Sequence, residues 1–350
     1  MRVKKIYNLF ILFVISIFSS CSYVHEWPEV STKVPFYIHL TYDTEMIVWE
    51  HIYDGTLVQE VAKEEPIRSE REKGYIRYII RAYPIVSTAS LTTQNVKEFI
   101  FVRNVEDGYD FETMIELEQG DYNILVWSDL IEYEDDMLFY NVDNFYEIKL
   151  QSEQHRACTD YRDAFSGSVP VSLVADVYEK DPEIFEIKMK RPLAKFEFIS
   201  DDIQEFIAKE TTRIQKENIF GSTVENISFE DYIVTIYYVG FMPNTYSLFT
   251  DKPTDAVTGV LFRSNIQQLS KLEASLGFDY VFVKDDISAI TVQLSIANKK
   301  GEVLSTSIPI NIPLNRNYHT IIKGKFLTSD AAGGVAINPD YDGEFNLIYP

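Results

Sequence analysis

The sequence predicts an all-β protein built as two tandem Greek-key β-sandwiches, and three observations point there. First, apolar and polar residues alternate with period two through many short stretches, and side chains on a strand point to opposite faces with that period. Second, Tyr and Phe number 23 each and fall largely in such stretches, which favours strands over helices. Third, the buried parity switches near the midpoint. Phe185, Ile187 and Met189 alternate with Glu186, Lys188 and Lys190, whereas Ala194, Phe196 and Phe198 alternate with Lys195 and Glu197. A bulge or break at Arg191-Pro192 would produce that switch, since proline cannot donate to a sheet ladder. Two readings stand: entry into a second β-domain, or one long bent strand in a single domain. A length of 350 residues, long for one all-β domain and comfortable for two, favours a division into residues 34–183 and 184–350.

The chain opens with Arg2, Lys4 and Lys5, an apolar run from Leu9 to Phe18, and Ser19-Ser20-Cys21. A basic start, a short apolar stretch and small residues before a cut site describe a secretory signal over residues 1–20, too short for a comfortable transmembrane helix. Phe18-Ser-Ser-Cys21 resembles a bacterial lipobox, with Phe18 in place of the usual leucine. Cys21 then becomes the lipidated first residue of the mature chain, held to a membrane by its buried acyl methylenes. The alternative is an ordinary signal peptide with an incidental cysteine. Residues 21–33 read as a tether.

Val34 to Tyr42 is the first predicted strand, with Phe36, Ile38 and Leu40 on one face. Asp43 to about Glu72 is variable in character, and its charged end, Lys63 to Lys73, reads as an exposed loop. Strands follow at Gly74 to Tyr83 and Glu98 to Arg103, with a helical turn at Thr92 to Lys97 between them. Phe111 to Asp129 reads as a hairpin turning at Glu118-Gln-Gly-Asp121, where Gly120 is free to take positive φ. Trp127 is large enough to plug one end of a core. Short strands at Met137–Tyr140, Phe145–Leu150 and Ser168–Leu173 complete a sandwich pattern with Greek-key connections. In the second half, Asp201-Asp202 is placed to cap a short helix with Ile203, Phe206 and Ile207 at helical spacing. Asp231 to Val239 is a strand ended by Gly240-Phe-Met-Pro243, and Ser247 to Asp255 reads as loop. Strands are expected at Tyr280–Val283, at Ile290–Ile296 turning at Asn298–Gly301, and at Asn317–Leu327; Ile308–Leu314, with Pro309 and Pro313, belongs at an edge.

The totals exclude several function classes. A formal net charge of −22 argues against nucleic acid, whose phosphates repel such a surface. No loop has the spacing of a calcium-binding hand, so Asp135-Asp136 and Glu106-Asp107 read as solvated turn charges. Two cysteines cannot form a disulfide framework, and Cys158 reads as a lone thiol. His155 near Cys158 is the pattern of a nucleophile or metal pair, but no second pair accompanies it. Metalloprotease, hydrolase and phosphate-loop motifs are absent, so no catalytic, cofactor-binding or metal-ligating residue is expected.

Several stretches together resemble the fimbrillin and fimbrial-anchor lipoproteins of Bacteroidales, the Mfa-like group. They are Gly74–Pro84, Gly120–Asp129, Asp163–Gly167, Arg191–Phe196, Val239–Pro243, Ile312–Thr320 and Asp342–Asn346, in that order over nearly all of the mature chain. The resemblance implies two tandem transthyretin-like (immunoglobulin-like) sandwiches behind a lipidated cysteine. It implies a part in surface fimbriae at the outer membrane, as anchor, shaft or tip, with other fimbrial subunits as partners. In that family an extended strand of one subunit completes the open groove of its neighbour, a form of β-augmentation. Here the candidates for exchange are Val34–Tyr42 and the tail Phe345–Tyr349. Family shaft subunits lose their first strand to a protease that cuts after arginine, and Arg68 and Arg71 are the arginines between Cys21 and the strand that starts at Gly74. An uncut chain would stay lipid-bound and suit an anchor; equally, both strands could complete their own sandwiches. The rival function is a glycan-binding surface lipoprotein of an uptake system, for which three tryptophans, one in the tether, are a thin signal.

Overall fold

The computed structural model describes residues 33–55, 58–68, 74–85, 95–131, 139–151, 155–174, 181–217, 227–285 and 287–329. Its strands in chain order are β1 (Lys33–Tyr42), β2 (Glu45–Tyr53), β3 (Val58–Arg68), β4 (Tyr75–Pro84), β5 (Lys97–Asn104), β6 (Phe111–Glu118) and β7 (Gly120–Ile131). They continue with β8 (Tyr140–Asn141), β9 (Ile148–Leu150), β10 (Ala164–Leu173), β11 (Glu183–Met189) and β12 (Leu193–Ser200), followed by helix α1 (Ile203–Glu217). Then come β13 (Tyr232–Tyr238), β14 (Met242–Ser247), β15 (Lys252–Val257), β16 (Leu261–Asn265), β17 (Gln267–Gln268) and β18 (Ala274–Phe282). The last are β19 (Ser288–Asn298), β20 (Val303–Thr306), β21 (Ile310–Leu314) and β22 (Tyr318–Gly324).

The all-β expectation holds, with strands arranged in five sheets. A three-stranded sheet, β11-β1-β6, faces a four-stranded sheet, β10-β7-β4-β5, across one apolar core. A six-stranded sheet, β17-β18-β12-β22-β2-β3, and a sheet of β16-β13-β19-β20, with β21 also on β19, enclose most of the other. A small sheet, β15-β14-β9-β8, joins that second core.

The central strands of the four-stranded sheet, β4 and β7, are buried on both faces. Ile76, Tyr78, Ile80, Ile124 and Val126 face the first core, while Ile79, Tyr83, Leu125 and Trp127 face the second. A strand covered on both sides reads as a continuous apolar run, as Ile76 to Ile80 nearly does. Trp127 therefore does not plug the end of its own sandwich. It packs edge-on against Tyr140, with ring centroids 5.2 Å apart, in the second core.

The break at Arg191-Pro192 is as expected. β11 lies in the three-stranded sheet and β12 in the six-stranded one, so one long bent strand is excluded. Among the described residues strand pairing crosses the sequence boundary in three places, however, one of them β9 beside β14. β2 and β3 hydrogen-bond into the six-stranded sheet, whereas β11 runs parallel to β1 in the first.

Four local expectations need correction. β6 and β7 are not hairpin partners: β6 pairs with β1, and β7 pairs with β4 and β10. The turn at Gln119 is a corner between sheets, which short-range periodicity cannot distinguish from a hairpin. The charged stretch expected as an exposed loop, Lys63 to Lys73, belongs to β3 as far as Arg68, because β3 pairs along β2, which buries Met46, Val48 and Tyr53; residues 69–73 lie outside the described residues. Pro243 lies within β14, and Lys252 to Val257 returns beside it as β15. Helix α1 runs fifteen residues, and Asp202 holds the chain after β22 through the Thr328 amide at 2.8 Å.

Candidate strand-exchange site

β1 is the central strand of its sheet, parallel to β11 on one side and antiparallel to β6 on the other. Its alternation fixes which side is inside: Phe36, Ile38 and Leu40 are fully buried, while Tyr37, His39 and Thr41 face outward, half-buried. Burying each of these three apolar side chains contributes about 1.5–3 kcal/mol. Phe36 meets Phe185 of β11 edge-on at 5.5 Å. At the end of β1, Tyr42 sits among Phe165, Tyr78 and Tyr109, with centroids 5.1–6.3 Å away. Burial, then the neighbouring Tyr78 phenol, pushes the Tyr42 hydroxyl well above its ordinary pKa, so it stays neutral.

Past Tyr42 the chain leaves the first sheet and enters the second as β2. It crosses beside Arg191, where β11 gives way to β12. Arg191 is buried and its guanidinium is satisfied all round. Nε and Nη2 donate to the two carboxylate oxygens of Asp163 at 2.8 and 3.0 Å. Nη2 also donates to the Thr44 carbonyl at 2.9 Å, and Nη1 to the Glu45 carbonyl at 3.2 Å and to the side-chain oxygen of Asn317. A guanidinium has five N–H donors, and these bonds use all of them. One side chain thus ties together both chain crossings, the start of β10 and the turn before β22.

The same geometry explains two of the stretches singled out in the sequence. In Asp163–Gly167, the aspartate pairs with Arg191 and the glycine lets β11 approach: a Cβ on Gly167 would lie 2.6 Å from Ile187 and 2.8 Å from the Met189 sulfur. In Ile312–Thr320, Arg316 pairs with Asp251 at 3.0 Å, Asn317 takes φ +63° and accepts from Arg191, and His319 lies 3.0 Å from Glu197. A further pair, Arg77–Asp129 at 2.5 Å, bridges β4 and β7 inside the molecule. Sequence reasoning passed over these charged partners. Arg77 and Asp129 carried a signal, as charges inside otherwise apolar strands, whereas Asp163, Arg191, Asp251 and Arg316 lie between strands, where a charge is ordinary.

β2 is also central, parallel to β22 and antiparallel to β3. Trp49 packs edge-on against Tyr318 at 5.6 Å, Tyr53 stacks on Phe326 at 5.3 Å, and Glu50 pairs with Lys323 at 3.0 Å.

The remaining expected sites fall as follows. Cys21, Arg71 and the tail Phe345–Tyr349 lie outside the described residues. Arg68 is the last residue of β3, opposite Glu45. Asp135-Asp136 are outside the described residues, and Glu106-Asp107 form an exposed turn capped by Asn104. Cys158 is a free, half-buried thiol whose pKa is pushed up to about 11, chiefly by burial, so it is not a ready nucleophile. His155 is engaged elsewhere, 2.5 Å from Asp279 and 2.9 Å from Arg162. Burial alone would raise the Asp279 carboxyl; the Arg162 charge, then His155, outweighs it and holds the group below the usual range. Among the described residues no group of three metal-ligating side chains occurs, and no helix is long and apolar enough to cross a membrane. A cleft of about 280 Å3 opens beside Arg191, lined by polar residues such as Lys188, Lys190, Asp285 and Arg316, with no aromatic side chain.

The chain is similar to several solved structures at low identity. One is described as a candidate adhesin from Bacteroides thetaiotaomicron: TM-score 0.40, 9% identity, 78% of this chain and 79% of that one covered. Another belongs to candidate polysaccharide-binding proteins of the same organism: TM-score 0.38, 10% identity, coverage 78% and 80%. A third is the fimbrial anchor protein Mfa2 from Porphyromonas gingivalis: TM-score 0.33, 14% identity, coverage 75% and 82%. No curated protein sequence matches this chain. Residues 47–349 match the family of unknown function DUF6562, and the chain belongs to that family.

Proposed function

We propose that this chain is a structural, non-catalytic lipoprotein of surface fimbriae, attached to the outer membrane through lipid on Cys21 and acting as a base anchor. In this reading residues 1–20 are the signal, 21–33 the tether, and the two sandwiches divide near residue 183, with β2, β3, β8, β9 and β11 paired across the division. One observation carries the anchor role: β1 and β2 are both central strands of their sheets. Cutting after Arg68 or Arg71 would free both. Losing Phe36, Ile38, Leu40, Met46, Val48, Trp49 and Tyr53 from the cores would cost on the order of 10–20 kcal/mol, comparable to the whole stability of a typical domain. An uncut chain keeps its own strand in the groove, accepts no donor there, and so occupies an end of a filament. The tail Phe345–Tyr349 is then the strand offered to the next subunit. The polar cleft beside Arg191 gives the glycan-binding alternative no stacking platform.

Fractionation of the native organism tests this. Intact cells are treated with protease, sheared filaments and outer membranes are blotted, and the N-terminus is read by mass spectrometry. The expected result is membrane recovery beginning at lipidated Cys21, with a filament subunit co-purifying. Recovery in sheared filaments beginning after Arg68 or Arg71 would make it a polymerising subunit instead. Recovery in membranes with no filament protein would overturn the fimbrial reading and favour the glycan-binding one.

A further inference from the structure

Edge strands expose unpaired backbone groups, and proteins blunt them with short length, proline, charge or cover. The described edges of this chain follow that rule, with one exception. β8 and β17 have two residues each, and β20 has four. β15 and β21 carry Pro253 and Pro313. β6 places Glu112, Glu116 and Glu118 along its edge, and β16 is a five-residue strand with Arg263 at its centre. β10 carries Pro170 and is bonded to Lys190 next to β11, itself marked by Glu183, Glu186 and Lys188.

β5 keeps its charges, Lys97, Glu98 and Arg103, to its two ends and has no proline, bulge or charge along its centre. It is the outer strand of its four-stranded sheet and, among the described residues, pairs with β4 alone, in an unbroken register. Phe99-Ile-Phe-Val102 are four successive apolar residues, without proline, glycine or bulge, and Ile100 is 54% exposed.

We propose that β5 is a self-association edge, pairing antiparallel with β5 of a second copy to join two four-stranded sheets into one of eight. The strand's own order of residues argues for a second copy. In a continuous sheet, residues directly opposite one another share a face, so only positions of equal parity can meet. Setting Phe101 opposite its symmetry mate puts Ile100 against Val102, Glu98 against Asn104 and Phe99 against Arg103. The apolar pairs meet at the centre, and a guanidinium meets an aromatic ring at each end. Moving the two-fold to Ile100 instead puts Lys97 opposite Arg103, a like-charged pair, so the first register wins. The high negative charge of each copy opposes association and is screened by salt, so dimerisation strengthens with ionic strength.

The test is sedimentation equilibrium of the full-length chain in density-matched detergent, over a concentration series at low and high salt. A concentration-dependent dimer that tightens with salt is expected. Ile100→Lys, at an exposed position, should weaken it at least about tenfold by setting an ammonium against the partner's apolar pair, with an unchanged far-ultraviolet spectrum. Met114→Lys, on the outward face of β6, should leave it intact. Mixing Ile100→Cys with Val102→Cys chains should give oxidised cross-links that neither gives alone. A chain that stays monomeric, an Ile100→Lys chain that dimerises like the parent, or no cross-link above the single variants would each overturn the proposal.

Discussion

β1 and β2 follow one another directly, and both are central strands, yet they are held in different ways. β1 is gripped by main-chain pairing on two sides and by one row of side chains, Phe36, Ile38 and Leu40, against the first core. Its other face, Tyr37, His39 and Thr41, looks outward and is half-buried. β2 is gripped by named partners on several sides: Trp49 on Tyr318, Tyr53 on Phe326, and Glu50 with Lys323. The alternating stretch of β1 before Tyr42 asks of a replacement mainly matching alternation with an aromatic ring opposite Phe185, whereas β2 is specific to its place. The first strand has the physical character of an exchangeable element, and the second locks the segment that carries it.

The largest effect expected concerns that lock. With a specific protease site placed at residues 69–73 and cut, the fragment ending before the cut should stay bound to the remainder through size-exclusion chromatography and separate only in denaturant. Separation in buffer would mean that β2 is no lock. Next, Arg191→Ala leaves the buried Asp163 carboxylate without its guanidinium, at a cost of about 3–5 kcal/mol, read as a lower urea midpoint. A loss below about 1 kcal/mol would show that the crossings hold without it.

The comparison sharpens with Ile38→Ala and Trp49→Ala. Each should cost about 2–5 kcal/mol in equilibrium unfolding. After the cut, a peptide of residues 33–42 should exchange faster into the Ile38→Ala protein, whose own first strand is loosened, whereas Trp49→Ala should speed release of the whole cut fragment. The smallest effect is with pH. The Asp279 carboxyl is depressed in the folded state, so its stabilisation is complete above the ordinary carboxylate pKa near 4 and is lost as pH falls through the folded value. The melting temperature should fall below about pH 4, and Asp279→Asn should flatten that part of the profile.

The alternation of Phe36, Ile38 and Leu40, the parity switch around Arg191-Pro192 and the strict period of β19 were all legible in the sequence, because period two is a local property of a strand. The sequence by itself therefore determined the all-β class, where several of the strands run and the break between β11 and β12. Only the tertiary structure decided which strands become neighbours. β6 and β7 look like a hairpin but belong to opposite sheets, the charged end of β3 looks like a loop but extends a sheet whose strands beyond β2 come from the far half of the chain, and Arg191 looks like one cation among many but collects three other segments. The physical reason is range. A strand's own side chains fix its buried face, but its partner is chosen by main-chain hydrogen bonds and buried charges between residues more than a hundred positions apart.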